Sequence, residues 1–389
     1  MAGADVSRDE IIQLLSQLIS LKSVNPRDME NPGPDDGELH MAEFIAKWGK
    51  DLGLAVEVHE VLPNRPNVIV KLEGRDPEKI ILLEGHMDTV QVDGMVIDPF
   101  MAKTAGDRIY GRGACDAKGS LASMMLALKT IASSPEKIDA SVALAAVVDE
   151  EHKFRGVQAL IDSGMKASAA IVGEPTGLDL VIAHKGCARW WITAHGRAAH
   201  SSQPQEGINA IYKMSHVIKA IEGLGRAYMA RSHPLVGPPL ITVTLVKGGS
   251  GINTVPDRCA INIDRRTLPG ENADDVIGEV LALLEDLKRK DPELEVEMEP
   301  PYLFDPPMEI SRDEPIVGAL EKAIIRLGRS PRITGAPYGT DASKLVRAGI
   351  PSVVFGPGSI ANAHAADEYI SISEIEAAVR ILVEAIADF

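Results

Sequence analysis

Hydrophobic and polar positions along the chain fall into two textures. In the first, apolar residues run unbroken over four to eight positions at 80–83 (IILL), 141–148 (SVALAAVV) and 169–172 (AAIV), and each run leads into a charged residue soon after. Short runs of this kind, free of Gly and Pro, are strands buried on both faces. Further strands are expected near 55–61 and 67–72. Helical spacing separates them. Ser7-x-x-Glu10 before IIQLLSQLISL is a capping box opening an amphipathic helix. A second helix is expected at about 39–54, a third at 118–132 (KGSLASMMLALKTIA), whose methionines read as core filler, and a short one at 156–163. Strand alternating with helix, with continuous apolar strands, predicts an α/β domain whose mixed, mostly parallel sheet is flanked by helices.

The second texture begins near Val181. IAHKGCARWWITAHG, PPLITVTLVKGG and DRCAINIDRRTL are longer and more alternating, with helices expected at about 208–224 and 273–290. That pattern predicts a smaller α+β domain with its helices on one face of the sheet. The four prolines of 300–307 read as a linker back to the first domain, which then adds a helix at 314–327 and a short strand in IPSVVFGPG. The expected organisation is a discontinuous domain of residues 1–180 and 299–389, interrupted by an inserted domain at 181–298. The loop NPRDMENPGPDDGE stops the first helix.

Composition narrows the function. At 389 residues, 45% hydrophobic and 25% charged, the chain is an ordinary globular one, long enough for two domains. A formal net charge of -16 argues against nucleic acid and against an anionic membrane surface. No apolar run reaches the ~18 residues that span a bilayer. The start, MAGADVSRDE, is acidic and polar rather than a basic region before an apolar core. Cys115, Cys187 and Cys259 form no CxxC pair, which suits a reducing compartment, and a cytoplasmic protein is expected.

The candidate chemistry collects at strand ends. His86, Glu151 and Glu174 follow buried strands, Asp116 sits in the glycine-punctuated loop DRIYGRGACD, and His364 follows the last strand. In open α/β sheets the carboxyl edge of the strands is where ligands bind. Several carboxylates gathered there would repel unless cations neutralise them. Histidine with Asp and Glu, without thiolates, suits catalytic zinc, with cobalt or manganese as alternatives. Two histidines and three carboxylates suffice for two ions if Asp116 bridges them. His86 and Asp88, two apart on a strand, would share one side, so that Asp88 orients the imidazole. By the same alternation Glu150 and Glu151 would point oppositely, one to metal and the other, Glu150, acting as general base. His184, in AHKG, is a candidate for lining a substrate pocket.

The motifs HMDTV, GRGACDAKGS, VVDEEHKFRG, GEPTG, GRAAHSS, GGSGINTVPDRC, RRTLPGE, GTDAS and AHAADE occur in the order seen in the M20 metallopeptidase and deacylase family. The resemblance spans almost the whole chain, and GEPTGLDLVIAHKG and GRAAHSSQPQEGINAI resemble the acetylornithine deacetylase and succinyl-diaminopimelate desuccinylase branch. It implies one zinc on His86, Asp116 and Glu174 and another on Asp116, Glu151 and His364. It further implies that Asp88 orients His86, that Glu150 is the general acid/base, and that His200 stabilises the oxyanion, often from the partner subunit. Asn253 and Arg266 are implied as substrate contacts, Arg266 for a free carboxylate. The family usually has an apolar residue where Arg265 stands, which leaves open which of the two arginines points inward. Gly339, Thr340 and Asp341 match a motif near substrate or metal. The implied activity is amide hydrolysis of a small N-acyl amino acid. A dipeptidase or carboxypeptidase of the same family is the alternative, and a metal-binding protein without turnover is a third reading. A homodimer through the inserted domain is expected, on the resemblance and on the sheet edge such a domain exposes.

Overall fold

The computed structural model describes residues 6–29, 32–33, 35–135 and 138–389. Part of the acidic start and part of the 25–38 loop therefore lie outside the described residues. The chain divides into two compact units, one of residues 1–182, 310–334 and 340–389, the other of 183–309 and 335–339.

The first unit is built on a mixed sheet. Its four central strands, Ala140–Val147, Asp76–His86, Ala169–Val172 and Ser352–Val354, are parallel neighbours in that order. Antiparallel strands flank them: Arg65–Leu72 and then Ala55–Leu62 on one side, and the start of Leu180–His184 on the other. The helices are Arg8–Ser20, Leu39–Asp51, Lys118–Ala132, Arg155–Asp162, Pro315–Arg326, Ala342–Arg347 and Ile372–Asp388. Helix 118–132 is buried over nearly its whole length because small residues stand on the faces that Leu and Met do not occupy. Ser7 accepts the Glu10 N–H at 3.2 Å, as its capping box predicts.

The second unit is an antiparallel sheet in the order Leu240–Gly248, Arg258–Thr267, Gly186–His195, Glu295–Met298, with Leu303–Asp305 also on the 186–195 strand. Helices Ala210–Tyr228 and Ala273–Lys290 pack with Trp190, Ile192, Ile261 and Ile263 into one apolar core, so they cover a single face of that sheet. The fold is thus α/β with a separate α+β unit.

Two local expectations fail. The proline-rich 300–307 segment is not merely a linker, since Leu303, Phe304 and Asp305 pair with Arg189, Ala188 and Cys187. The prolines flank that strand, where no ladder N–H is needed. The helix Ile372–Asp388, which packs against 118–132 and 315–326, was not foreseen. Its signal was present: Ser371 accepts the Glu374 N–H in a second S-x-x-E box.

Candidate metal centre

The first unit brings His86, Asp116, Glu151, Glu174 and His364 together. Ligand-type atoms of His86, Asp116 and Glu174 lie within 4.8 Å of one another, and so do those of Asp116, Glu151 and His364. Asp116 belongs to both trios. Its Oδ1 is 3.2 Å from His86 Nε2, and its Oδ2 is 3.3 Å from His364 Nε2. His364 Nε2 also lies 3.2 Å from Glu151 Oε1, and His86 Nε2 is 4.0 Å from Glu174 Oε1. One carboxylate therefore offers an oxygen to each of two imidazoles, and each imidazole has a second carboxylate beside it.

The chain delivers these groups from the carboxyl ends of parallel strands. His86 closes strand 76–86, Glu150 and Glu151 follow strand 140–147, and Glu174 follows strand 169–172. Alternation along a strand does not, however, sort Glu150 from Glu151. The strand has ended by Val147, and Asp149 turns the chain in the left-handed region at φ 69. What fixes the two glutamates is Asp88, whose Oδ1 accepts the Glu150 N–H and whose Oδ2 accepts the Glu151 N–H, both at 3.1 Å. Asp88 also lies past the end of its strand. His86 Nδ1 is 3.0 Å from the Asp88 main-chain oxygen and 3.5 Å from its carboxylate, so the backbone carbonyl is the closer partner of the ring.

Two further residues that local pattern did not reveal support this arrangement. Asn25, buried, donates from Nδ2 to Asp88 Oδ2 at 2.7 Å and to Asp149 Oδ1 at 3.1 Å. Asp149 is in turn held by Arg65 and Arg155, and Arg65 by Glu38. Glu368, fully buried, accepts the backbone N–H groups of Gly113, Cys115 and Asp116 and an Arg112 Nη1–H at 2.7–3.1 Å. It lies four residues after His364, so one carboxylate secures the loop of Asp116 from the segment that carries His364. AHAADE contains this glutamate, but nothing local in the sequence says where its carboxylate goes.

Electrostatics agree with a cation site. Burial and then the Asp116 charge push the Glu174 carboxyl well above its usual range. Burial and then Glu174 do the same to Glu150. Burial and Asp116 raise Glu151. Hydrogen bonds to Asp116 and Glu151 raise His364 to about 10. Burial opposes a charge on His86, yet Asp116 and Asp88 outweigh it and hold its pKa well above the imidazole range. In the metal-free protein, protons thus sit where crowded carboxylates call for positive charge. These donors, imidazole with carboxylate and no thiolate, fit hard or borderline divalent ions. Cys115 is buried, and burial and then Asp116 push its thiol far up, which disfavours a thiolate there.

The remaining candidates divide between the units. In the second unit exposed His200, opposite Thr254 in a two-residue pairing, has Nδ1 2.7 Å from Ser202 Oγ, while the Asn253 carbonyl accepts the Ser201 N–H. Arg265 lies on the helix-covered side of the sheet, is fully buried, donates to both oxygens of Glu271 and stacks on Tyr228. Arg266 points to the opposite face, so the alternation of the strand puts the two arginines on different sides of the sheet. A Cβ on Gly339 would come 2.0 Å from Asp305 Oδ2, so any other residue there would have to displace that carboxylate. In the first unit Thr340 is buried and its hydroxyl accepts the Ala342 N–H, holding the turn into helix 342–347.

Residues 82–388 match the model of the peptidase family M20/M25/M40. The chain is 32% identical over 385 residues to the acetylornithine deacetylase of Vibrio campbellii, covering 97% of this chain and 98% of that protein. The chain belongs to the M20 peptidase family. The acetylornithine deacetylase of Pectobacterium carotovorum is likewise 32% identical, over 97% of each chain. Among solved structures, an aminopeptidase of Bacillus cereus superposes with a TM-score of 0.79 at 21% identity over 99% of both chains. Human carnosine dipeptidase 1 superposes with a TM-score of 0.76 at 16% identity over 98% of this chain and 96% of that one. Membership makes this M20 protein a hydrolase of amide bonds, in a family whose peptidases depend on metal. Among the described residues no helix is long and apolar enough to cross a membrane.

Proposed function

We propose that this M20 protein removes the acyl group from a small N-acyl amino acid, using two zinc ions. The observation that carries the reading is the shared carboxylate of Asp116, which faces one imidazole with each oxygen. His86, Asp116 and Glu174 would hold one ion, and Asp116, Glu151 and His364 the other. Bound there, the ions would supply Lewis acidity toward the scissile carbonyl and toward water. Glu150 takes the proton from the attacking water and delivers it to the departing amine, a task suited to a buried carboxyl whose pKa is already raised. Asp88 keeps Glu150 in place through its backbone N–H. His200 donates to the developing oxyanion, Asn253 contacts the substrate and Arg266 binds its free carboxylate. Gly339 and Thr340 would add further substrate contacts.

The first unit is the catalytic one in this reading, and the second a lid that also forms a homodimer. Strand 240–248, at an edge of the second unit's sheet, exposes Leu245 and Val246, as a pairing edge would. The three cysteines are buried and unpaired, in keeping with the cytoplasm. The likeness at 32% identity to acetylornithine deacetylases favours an acetyl group on a basic amino acid. A panel of N-acetylornithine, N-succinyl-diaminopimelate and dipeptides, run on metal-loaded and chelator-treated protein, tests this. Fastest turnover of a dipeptide would assign a peptidase instead, and metal binding with no turnover of any member would reject the enzyme reading. Glu150→Gln should keep its metal and lose turnover by about 10³-fold or more.

A further inference from the structure

The open face of the second unit's sheet carries a charge arrangement that Arg266 alone does not explain. Asp264 and Arg189 stand directly opposite each other on neighbouring strands, and Arg266 stands opposite Cys187. All four project away from the helix-covered face, where Trp190, Ile263 and Arg265 point. Asp264 Oδ2 accepts Arg189 Nε–H at 2.8 Å, and Oδ1 accepts Arg266 Nε–H at 2.8 Å. Each guanidinium thus turns its Nε edge to the same carboxylate. Arg189 uses neither Nη on a protein group among the described residues, and Arg266 uses one of its two only in a long 3.4 Å contact to Asp264.

Charge balance points the same way. Lys185, Arg189 and Arg266 share this region with two carboxylates, Asp264 and, beyond Cys187 on the next strand, Asp305. Lys185 feels the excess: burial first, and then the charges of Arg266 and Arg265, lower its pKa. Burial opposes ionisation of Asp264, but Arg189 and Arg266 hold its carboxyl below the ordinary range. Three cations against two carboxylates leave room for one monoanion, and the idle Nη groups match a carboxylate's fork geometry.

We infer that Arg189 and Arg266, clamped by Asp264, form one carboxylate-binding subsite, in which Arg189 is a second determinant of specificity for substrates with a free carboxylate. The inference rests on the deacylase reading above and extends it to a residue that reading did not include. Asp264 is a positioning residue here: it touches both guanidiniums and fixes their spacing.

The test compares N-acetylornithine with its carboxamide on the full-length, metal-loaded protein and on Arg189→Gln, Arg189→Lys and Arg266→Gln. Arg189→Gln should lower the parent's preference for the carboxylate by about tenfold or more, chiefly through KM, with a smaller effect on the carboxamide. Arg189→Lys keeps a cation for Asp264, so it guards against a folding defect, and should recover part of the preference because it lacks the planar fork. Undiminished preference in Arg189→Gln, with loss in Arg266→Gln, would overturn the inference and leave Arg189 a mere partner of Asp264. Undiminished preference in both would remove the arginine anchor from the proposed function as well. A parent that hydrolyses neither compound nor any panel member would reject the deacylase reading and the subsite with it.

Discussion

Replacing Asn25 should disturb the proposed metal site although Asn25 is not among its candidate ligands. Its amide nitrogen lies between two buried carboxylates, 2.7 Å from Asp88 and 3.1 Å from Asp149. Asn25→Leu, close in volume, removes both hydrogen bonds. Asp149 retains Arg65 and Arg155, and Asp88 retains two backbone N–H groups, so the damage falls mainly on Asp88. Hydrogen bonds to charged groups contribute about 1.5–3 kcal/mol each, which gives a loss of roughly 2–4 kcal/mol after partial compensation. Supporting residues behind metal ligands typically change metal affinity 10–100-fold, and a loss in that range is expected here. Asn25→Asp is the sharper change, since it sets a third carboxylate against two. At an effective dielectric near 20, like charges about 3 Å apart repel by roughly 5 kcal/mol. The new carboxyl would take up a proton instead, with its folded pKa raised above the unfolded value. Its protonated form is tolerated at low pH, so the variant loses stability relative to the parent as pH rises through that folded pKa. Thermal melting at pH 5 and pH 8, with cobalt titration followed by absorption, reads both effects. An Asn25→Asp protein that melts and binds cobalt like the parent at pH 8 would refute the reasoning.

Other outcomes follow from the same site and its surroundings. His86 and His364 are both raised in the metal-free site, and so are Glu151 and Glu174, so loading the site with ions should release two or more protons, read by calorimetry in buffers of different ionisation enthalpy. Raised folded pKa values place the stability from these histidines below their unfolded pKa, so metal-free protein should lose it between about pH 6.5 and pH 10, as melting against pH would show. Gly156→Ala would drive a Cβ to 2.2 Å from the Val148 carbonyl oxygen, and melting should report a loss of about 1–3 kcal/mol; an unchanged midpoint would mean that the turn after Glu151 can shift.

The sequence was most legible where function and regularity coincide. The continuous apolar runs that precede His86, Glu151 and Glu174 are central strands whose carboxyl ends share one edge of the sheet, since a parallel strand buried on both faces takes few polar residues. The reasoning that used alternation beyond the strands fared worse. Glu150 and Glu151 sit in a turn and Asp88 past the end of its strand, where no two-residue period applies; the Glu150 and Glu151 backbone N–H groups are held by Asp88 instead. Asn25 and Glu368 were not legible for a related reason: their partners lie 63 to 256 residues away, and a side-chain amide or carboxylate leaves no periodic trace. Inside a regular strand the same alternation worked, separating Arg265 from Arg266 once the helix-covered face was known. The strand Leu303–Asp305 was hidden by its flanking prolines, which mark a boundary without saying what lies between them.

Glu368 has a consequence for the order in which the protein matures. Its carboxylate gathers three amides of the 113–116 turn from 252 to 255 residues further along the chain, and His364 stands four residues before it. During synthesis, the turn bearing Asp116 is made long before the segment that steadies it. A chain that stops short of residue 364 lacks one imidazole of the proposed site and the clasp on the Asp116 loop. On the two-ion reading proposed above, tight uptake of both cations awaits synthesis of residues 364–368.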